Sequence, residues 1–380
     1  MTRHCFIEPL DVLFLRGNKL FGDPGSFGES LVPPWPSAAA GALRSWLLAE
    51  AGIDPARFAR GEIEHPALGT PAAPGPFTVT AFDLARRIDG HIETLHAPPA
   101  DLLVFEEDGR PRTERLRPVA PAATIRTSAA TDQLAVLAIA KRQKPAPGYW
   151  LDERGWARYL AGDLPHPDDL IKSHRLWKID PRVGVGLDPE RRRADDGKLF
   201  SMQAVALNDG LGERAAIGRV GFLAGVAGIE LPARGMLRFG GDGRAAAVET
   251  VAYQPPTADL ARIAQARRCR LVLATPGIFA DGWHLPGLDK EARFECAGVR
   301  GRVVCAAVPR AEVVSGFDLA RWQPKTAQRA VSAGSVYWIE GLEADAAALG
   351  KLAEHGLWPE SVDNPSRRAE GFNRVTVAAF

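Results

Sequence analysis

Residues 6–15 (FIEPLDVLFL) place Phe6, Leu10, Val12 and Phe14 at a period of two, which predicts a strand interrupted by Glu8 and Asp11. A Gly-rich loop follows at 16–29, and then the period changes. In PPWPSAAAGALRSWLL (33–48), Leu43, Trp46 and Leu47 form the apolar stripe of a helix. Pro36 and Ser37 are its start signal, with Ser37 the expected N-cap. Residues 52–180 are Pro-rich and charged. They read as insertions without a sheet of their own, with short helices predicted at 132–141 and 153–161. Residues 182–207 read as two strands joined by a polar loop. Strand patterns recur at 219–228, 235–251, 271–279, 301–308, 334–340 and 372–380, with helices predicted at 257–267 and 343–355. Lys351, His355 and Gly356 close the last of these helices. This order predicts an α+β protein whose antiparallel sheets carry helices on one face. Two ferredoxin-like (RRM-like, βαββαβ) domains fit it. The expected division is 1–257, with an insertion at about 52–180 and a hairpin at about 182–207, followed by 258–380.

Composition narrows the classes. The 380 residues carry 38 Gly and 30 Pro, about half again the usual share, scattered among apolar runs. That predicts a folded protein with many turns and loops. The start of the chain has no signal-peptide pattern, and the longest apolar run, 220–229, is too short to span a bilayer. No membrane association is therefore expected. Cys5, Cys269, Cys296 and Cys305 have no metal-ligand spacing and read as thiols in a reducing cytoplasm. The net charge of +1 excludes a uniformly basic nucleic-acid coat but not a local basic groove. Of the 47 cations 38 are Arg, which suits phosphate recognition by planar guanidinium groups and equally suits a GC-rich genome.

Catalytic patterns are missing from the sequence. The eight histidines form no HxH or HExxH, and there is no Walker loop, no GxSxG and no GxGxxG after a strand. Glu106–Asp108 and Asp195–Asp196 read as solvated loop charge. No catalytic residue, metal ligand or cofactor is expected.

Five stretches carry binding chemistry, each with a plainer alternative. The free N–H groups at the start of the first helix, from Ser37, can hold a phosphate, with Arg44 two turns in; alternatively its Ala and Gly residues pack closely on a sheet. LDPERRRADDGK (187–198) carries Arg191, Arg192 and Arg193, a hairpin arm for a single strand or an exposed mixed-charge loop. GGDGR (240–244) offers Gly241 N–H and Arg244 to a nucleotide, or is a hairpin turn. DLARWQPKTAQRAVSAGS (318–335) interleaves Arg321, Lys325 and Arg329 with Trp322, a mix suited to phosphate contact and base stacking, or a polar loop with a tucked-in ring. RRAEGFNR (367–374) is the weakest.

Taken in order, EPLDVLFLR, PPWPSAAAGALR, VGVGLDPERRRADDGKLFSMQAVAL, LRFGGDGRAAAVE, LATPGIF and SGFDLARWQPKTAQRAVSAGSVYW resemble the family of third subunits of the Cmr complex. These are RAMP-superfamily proteins of type III-B CRISPR effectors. The resemblance runs from about residue 6 to 340 and is faint in 52–180. It implies two ferredoxin-like domains. It also implies binding of the 5′ repeat-derived handle of a CRISPR RNA, and docking between the large signalling subunit and the first backbone subunit, without catalysis. A β-hairpin thumb that displaces a nucleotide is implied for 187–198. A C-terminal Gly-rich loop contacts RNA in RAMP proteins, and GFN at 371–373 is a poorer match to it. The alternatives are a stand-alone, metal-independent CRISPR RNA endoribonuclease, using a base such as His4 or His174, and a purely structural adaptor.

Overall fold

The computed structural model describes residues 2–17, 27–122, 133–136, 143–188, 190–318, 323–359 and 364–380. Its principal elements in chain order are β1 (Arg3–Pro9), α1 (Pro36–Glu50), β2 (Thr78–Ile88), β3 (His91–Leu95), α2 (Glu153–Ala161), β4 (Trp177–Asp188), β5 (Arg193–Leu207), β6 (Arg219–Ala227), β7 (Arg234–Arg238), β8 (Ala245–Val251), β9 (Arg268–Leu273), β10 (Arg293–Cys296), β11 (Val299–Ala307), β12 (Val336–Glu343), α3 (Ala346–His355) and β13 (Val375–Ala378). The chain folds as two compact units, one of residues 1–92, 174–253 and 313–328, the other of 93–173, 254–312 and 329–380. The protein is α+β, with mostly antiparallel sheets and few helices.

The first unit is built on a sheet of order β7-β8-β1-β6-β2-β3. Its described pairings are antiparallel, with Phe6 opposite both Leu223 and Glu249, and Phe222 opposite Leu84. α1 packs on β2 and β7 through Leu43, Trp46 and Leu47, the stripe that the sequence predicts. β7 accepts that helix because it carries Gly235, where an added Cβ would stand 2.4 Å from the Trp46 indole nitrogen. Gly235→Ala is therefore expected to push the ring outward and cost about 1–3 kcal/mol, read as a lower urea midpoint.

On β2, Asp83 is half-buried opposite Leu223, and desolvation pushes its carboxyl up to about 7. Across the window from its ordinary value to that one, the folded chain keeps a proton the unfolded chain has lost. Stability therefore falls as pH rises through it. In Asp83→Asn, with no proton to lose, the stability difference from the parent is expected to move toward the variant between pH 5 and pH 8. Urea melts at the two pH values check this.

The second unit is built on a sheet of order β10-β11-β12-β9-β13, again antiparallel in its described pairings. Its core contains a buried ion pair. Arg270 on β9 donates from Nη1 to Asp101 Oδ2 at 2.6 Å, from Nη2 to Tyr159 O at 2.9 Å and from Nε to Ala379 O at 2.7 Å. The Tyr159 hydroxyl donates to the other Asp101 oxygen at 2.7 Å. The arrangement ties residue 101, α2, β9 and the chain end together.

Several expectations change. Ser37 is not the N-cap: Trp35 is, with no side-chain cap, and Pro36 opens the helix because its preset φ and missing N–H suit the first position. Residues 78–88, read as insertion, form an interior strand of the first sheet. Asp83, Arg86 and Arg87 hide its alternation, while nine residues of β6 fix its register. Residues 93–173 group with the second unit and do contain strands, pairing 102–107 with 110–115 and 149–151 with 170–172. The helix predicted at 132–141 is a strand at Leu134–Val136, paired with Arg117–Val119; residues 137–142 lie outside the described residues. The helix predicted at 153–161 is α2, capped by the Asp152 side chain and ended by left-handed Gly162. All four cysteines are buried and free, and burial pushes the Cys5 and Cys269 thiols up to about 12.

Candidate nucleic-acid interface

In the first unit, residues 11–16 gather three stretches that are far apart in sequence. Leu13 exchanges backbone hydrogen bonds with Val205 at the base of the β4–β5 hairpin, at 2.9 and 2.8 Å. Arg16 bridges to Ser30, whose hydroxyl donates to Gln203 O at 2.7 Å. The ends of the Gly-rich loop thus meet beside the hairpin, six residues before α1 begins. The GGDGR turn closes on the same segment: Gly241 donates its N–H to Phe14 O at 2.7 Å, Arg16 pairs with Asp242 at 2.9 Å, and Arg244 pairs with Asp11 at 2.7 Å while lying over the Phe14 ring. The turn is tight because Gly240, Asp242 and Gly243 all take positive φ.

This geometry sorts the residues chosen from sequence. Gly241 and Arg244 belong to the cluster, but the Gly241 N–H is committed to Phe14, so it is not a free donor. Ser37 lies half-buried in the first turn of α1, and the neighbouring Ala38 N–H goes to Trp35 O. Arg44 lies over the Phe77 ring at 5.6 Å rather than projecting freely from the helix. Gly41 faces open space among the described residues, so its lack of a side chain answers no contact with them.

At the hairpin tip Arg191 reaches Asp188 at 3.8 Å. Arg192 and Arg193 are exposed with no ion pair among the described residues. Arg192 adopts positive φ in the turn. In 313–328, Phe317 pairs with Pro324 and Asp318 with Gln323, and the Lys325 N–H goes to Gly316 O. Arg321 and Trp322 lie outside the described residues.

In the second unit Arg329 is exposed, also without an ion pair among the described residues. It lines a half-open cavity of about 380 Å³ with Trp283, Leu134, Val308 and Val331. A guanidinium beside an indole over an apolar floor can hold a phosphate and stack a base. Arg329 is among the residues chosen from sequence; Trp283 and Arg16 are not, because no local motif marks them.

GFN is not a surface loop. Phe372 and Asn373 are fully buried, and Asn373 accepts from Ile278 N and donates to Leu357 O. Positive φ at Gly371 and Asn373 shapes a structural turn there. Among the described residues no three His, Cys, Asp or Glu side chains gather as a metal site. His4 is half-buried against Tyr253, with burial lowering its pKa, and His174 is exposed on a short helix.

The model of the CRISPR-associated protein (Cas_Cmr3) family matches residues 5–378. The chain belongs to that family. It is a subunit of a type III-B CRISPR (Cmr) effector complex. Solved structures similar to it include a chain of the type III-B Cmr-beta complex bound to cognate target RNA and AMPPnP, at 13% identity and TM-score 0.49, covering 98% of this chain and 95% of that one. A second, from Cmr-beta bound to cognate target RNA, has 15% identity and TM-score 0.46, covering 88% and 86%. No curated protein matches the sequence. No helix among the described residues is long and apolar enough to cross a membrane.

Proposed function

We propose that this chain is a non-catalytic, cytoplasmic subunit that holds the 5′ repeat-derived handle of the CRISPR RNA and joins the large signalling subunit to the backbone subunits. The observation that carries the reading is the gathering of the GGDGR turn, the Gly-rich loop neck and the hairpin base on residues 11–16, with Arg192 and Arg193, which have no ion pair among the described residues, at the hairpin tip. Held single-stranded RNA needs phosphate donors and stacking surfaces rather than a nucleophile. In the first unit Arg192 and Arg193 offer phosphate donors; in the second, Arg329 and Trp283, which line one cavity, offer a phosphate donor and a stacking surface. Lys325, and Arg321 beyond the described residues, extend the basic stretch.

We read both sheets as ferredoxin-like. Numbered along the chain, the core strands β1, β2, β6 and β8, and likewise β9, β11, β12 and β13, stand in the order 4-1-3-2. The first domain keeps only the first crossover helix, α1. The second keeps only the second, α3. Edge strands β7 and β10 occupy the connections without a helix.

Ultraviolet crosslinking of the assembled complex, read by mass spectrometry, tests the site. RNA adducts are expected at 11–16, 188–193, 240–244 and 329. Adducts confined to other subunits would favour a purely structural adaptor.

A further inference from the structure

Two charged segments meet in the first unit, and each brings one anion and one cation. Residues 11–16 bring Asp11 and Arg16, and the GGDGR turn brings Asp242 and Arg244. They pair crosswise: Arg244 Nη1 donates to Asp11 Oδ2 at 2.7 Å, and Arg16 Nη2 donates to Asp242 Oδ1 at 2.9 Å.

The turn does not need these pairs to keep its place. Its backbone is tied down by Gly241 N–H to Phe14 O at 2.7 Å, Phe239 N–H to Arg244 O at 2.8 Å and Leu10 N–H to Ala245 O at 3.1 Å. Ion pairs this exposed contribute little to stability. What the Asp11 pair does decide is which anion Arg244 meets. The guanidinium lies over the Phe14 ring at 5.0 Å, and its side chain is 29% exposed. Asp11 is 57% exposed, so the carboxylate is the outer partner. It is aimed in advance, because its other oxygen accepts the Val12 N–H at 2.7 Å. Arg244 has no second anion among the described residues, and its enclosed Nε has no hydrogen-bond partner there. One carboxylate oxygen thus holds one corner of a group able to grip an anion through two N–H donors.

A phosphodiester has two non-bridging oxygens for such a grip. A carboxylate on the same chain is always at hand, however, so a passing strand does not displace it. A strand already held elsewhere on the subunit is present at a high effective concentration and does. We propose that Asp11 is a stand-in for an RNA phosphate. It occupies Arg244 in the RNA-free chain and yields it to a phosphodiester of a strand that the subunit already holds. Arg244 then supports bound RNA without capturing stray strands. This rests on the reading that RNA meets this face, not on which RNA sequence is held.

A double-variant cycle tests it. Labelled single-stranded RNA carrying the handle is titrated at several salt concentrations into the full chain as parent, Asp11→Asn, Arg244→Ala and Asp11→Asn/Arg244→Ala. Asparagine keeps an oxygen for the Val12 N–H, so the melting temperature is expected to hold. Asp11→Ser, whose hydroxyl accepts the same N–H, is the second variant. In the parent, the cation that RNA releases at its phosphate is offset by one drawn to the bared Asp11; in Asp11→Asn none is drawn back. Asp11→Asn is therefore expected to bind about threefold or more tighter at low salt, with a salt slope steeper by about 0.7. In the Arg244→Ala background the same substitution is expected to change affinity less than twofold. Unchanged or weaker binding by Asp11→Asn and Asp11→Ser would overturn the proposal. So would an equal gain in both backgrounds, which is the signature of overall charge alone. A scrambled handle separates the two readings: equal affinity of the parent for both RNAs, with the cycle as expected, would contradict handle recognition and leave the role of Asp11 standing. RNA bound by neither the parent nor Asp11→Asn would overturn both.

Discussion

Asp101→Ala is expected to destabilise the protein by about 3–5 kcal/mol, the cost of leaving a buried charge without its partner. Arg270 is 1% exposed at the side chain and Asp101 0%, and the same carboxylate accepts from Tyr159. Arg115, whose guanidinium burial lowers to about 10, sits 4.0 Å from Asp101 and would lose its nearest anion as well. Asp101→Asn keeps the shape and one acceptor and should cost less than Asp101→Ala. The double variant Asp101→Ala/Arg270→Met removes both charges and should be more stable than Asp101→Ala alone. Urea unfolding followed by circular dichroism measures all three. An Asp101→Ala loss below 1 kcal/mol would show that the pair does not hold the inserted segment to the second sheet.

The second large effect is on RNA. For a single strand, each phosphate contact contributes about 0.7 to the slope of log affinity against log salt. Arg192→Ala/Arg193→Ala is expected to lower that slope by roughly 1.4 and weaken binding at low salt by tenfold or more. Arg244→Ala should do less, because Arg244 already faces Asp11 at 2.7 Å and removing it frees a carboxylate rather than baring a phosphate site. Titrating labelled handle RNA at several salt concentrations separates the two. Equal effects would mean that pairing within the chain does not decide which cations meet RNA.

The sequence exposed local devices more fully than long-range ones. α2 could be read to its ends because Asp152 caps it and Gly162 stops it within nine residues. The hairpin and the GGDGR turn were visible for the same reason: strand alternation and glycine both act locally. β2 was not visible, because Asp83, Arg86 and Arg87 break its alternation and only pairing to β6 makes it a strand. The cap at Ser37 was misplaced because proline at the first helical position outweighed a serine one residue later. At the site, Arg192, Arg193 and Arg244 stood in recognisable runs. Arg16 gains its place only when Ser30 and Asp242 reach it from elsewhere in the chain, and Trp283 only when the fold brings it to the cavity that Arg329 also lines. The β4–β5 hairpin shows the limit most plainly. Its alternation predicts strands, but which face meets solvent is set by register and by what packs at its base: Val183 is 72% exposed, whereas Val205, paired with Leu13, is fully buried.

The central claim is recognition of the handle by this subunit. Its most direct test is binding of CRISPR RNAs with intact and scrambled 5′ handles, matched in length and composition, to the complex reconstituted with the parent chain or with Arg192→Ala/Arg193→Ala. Tighter binding and fuller assembly with the intact handle, and a smaller preference in the variant, is the predicted result. Equal affinity and equal assembly for both RNAs with the parent chain would contradict it.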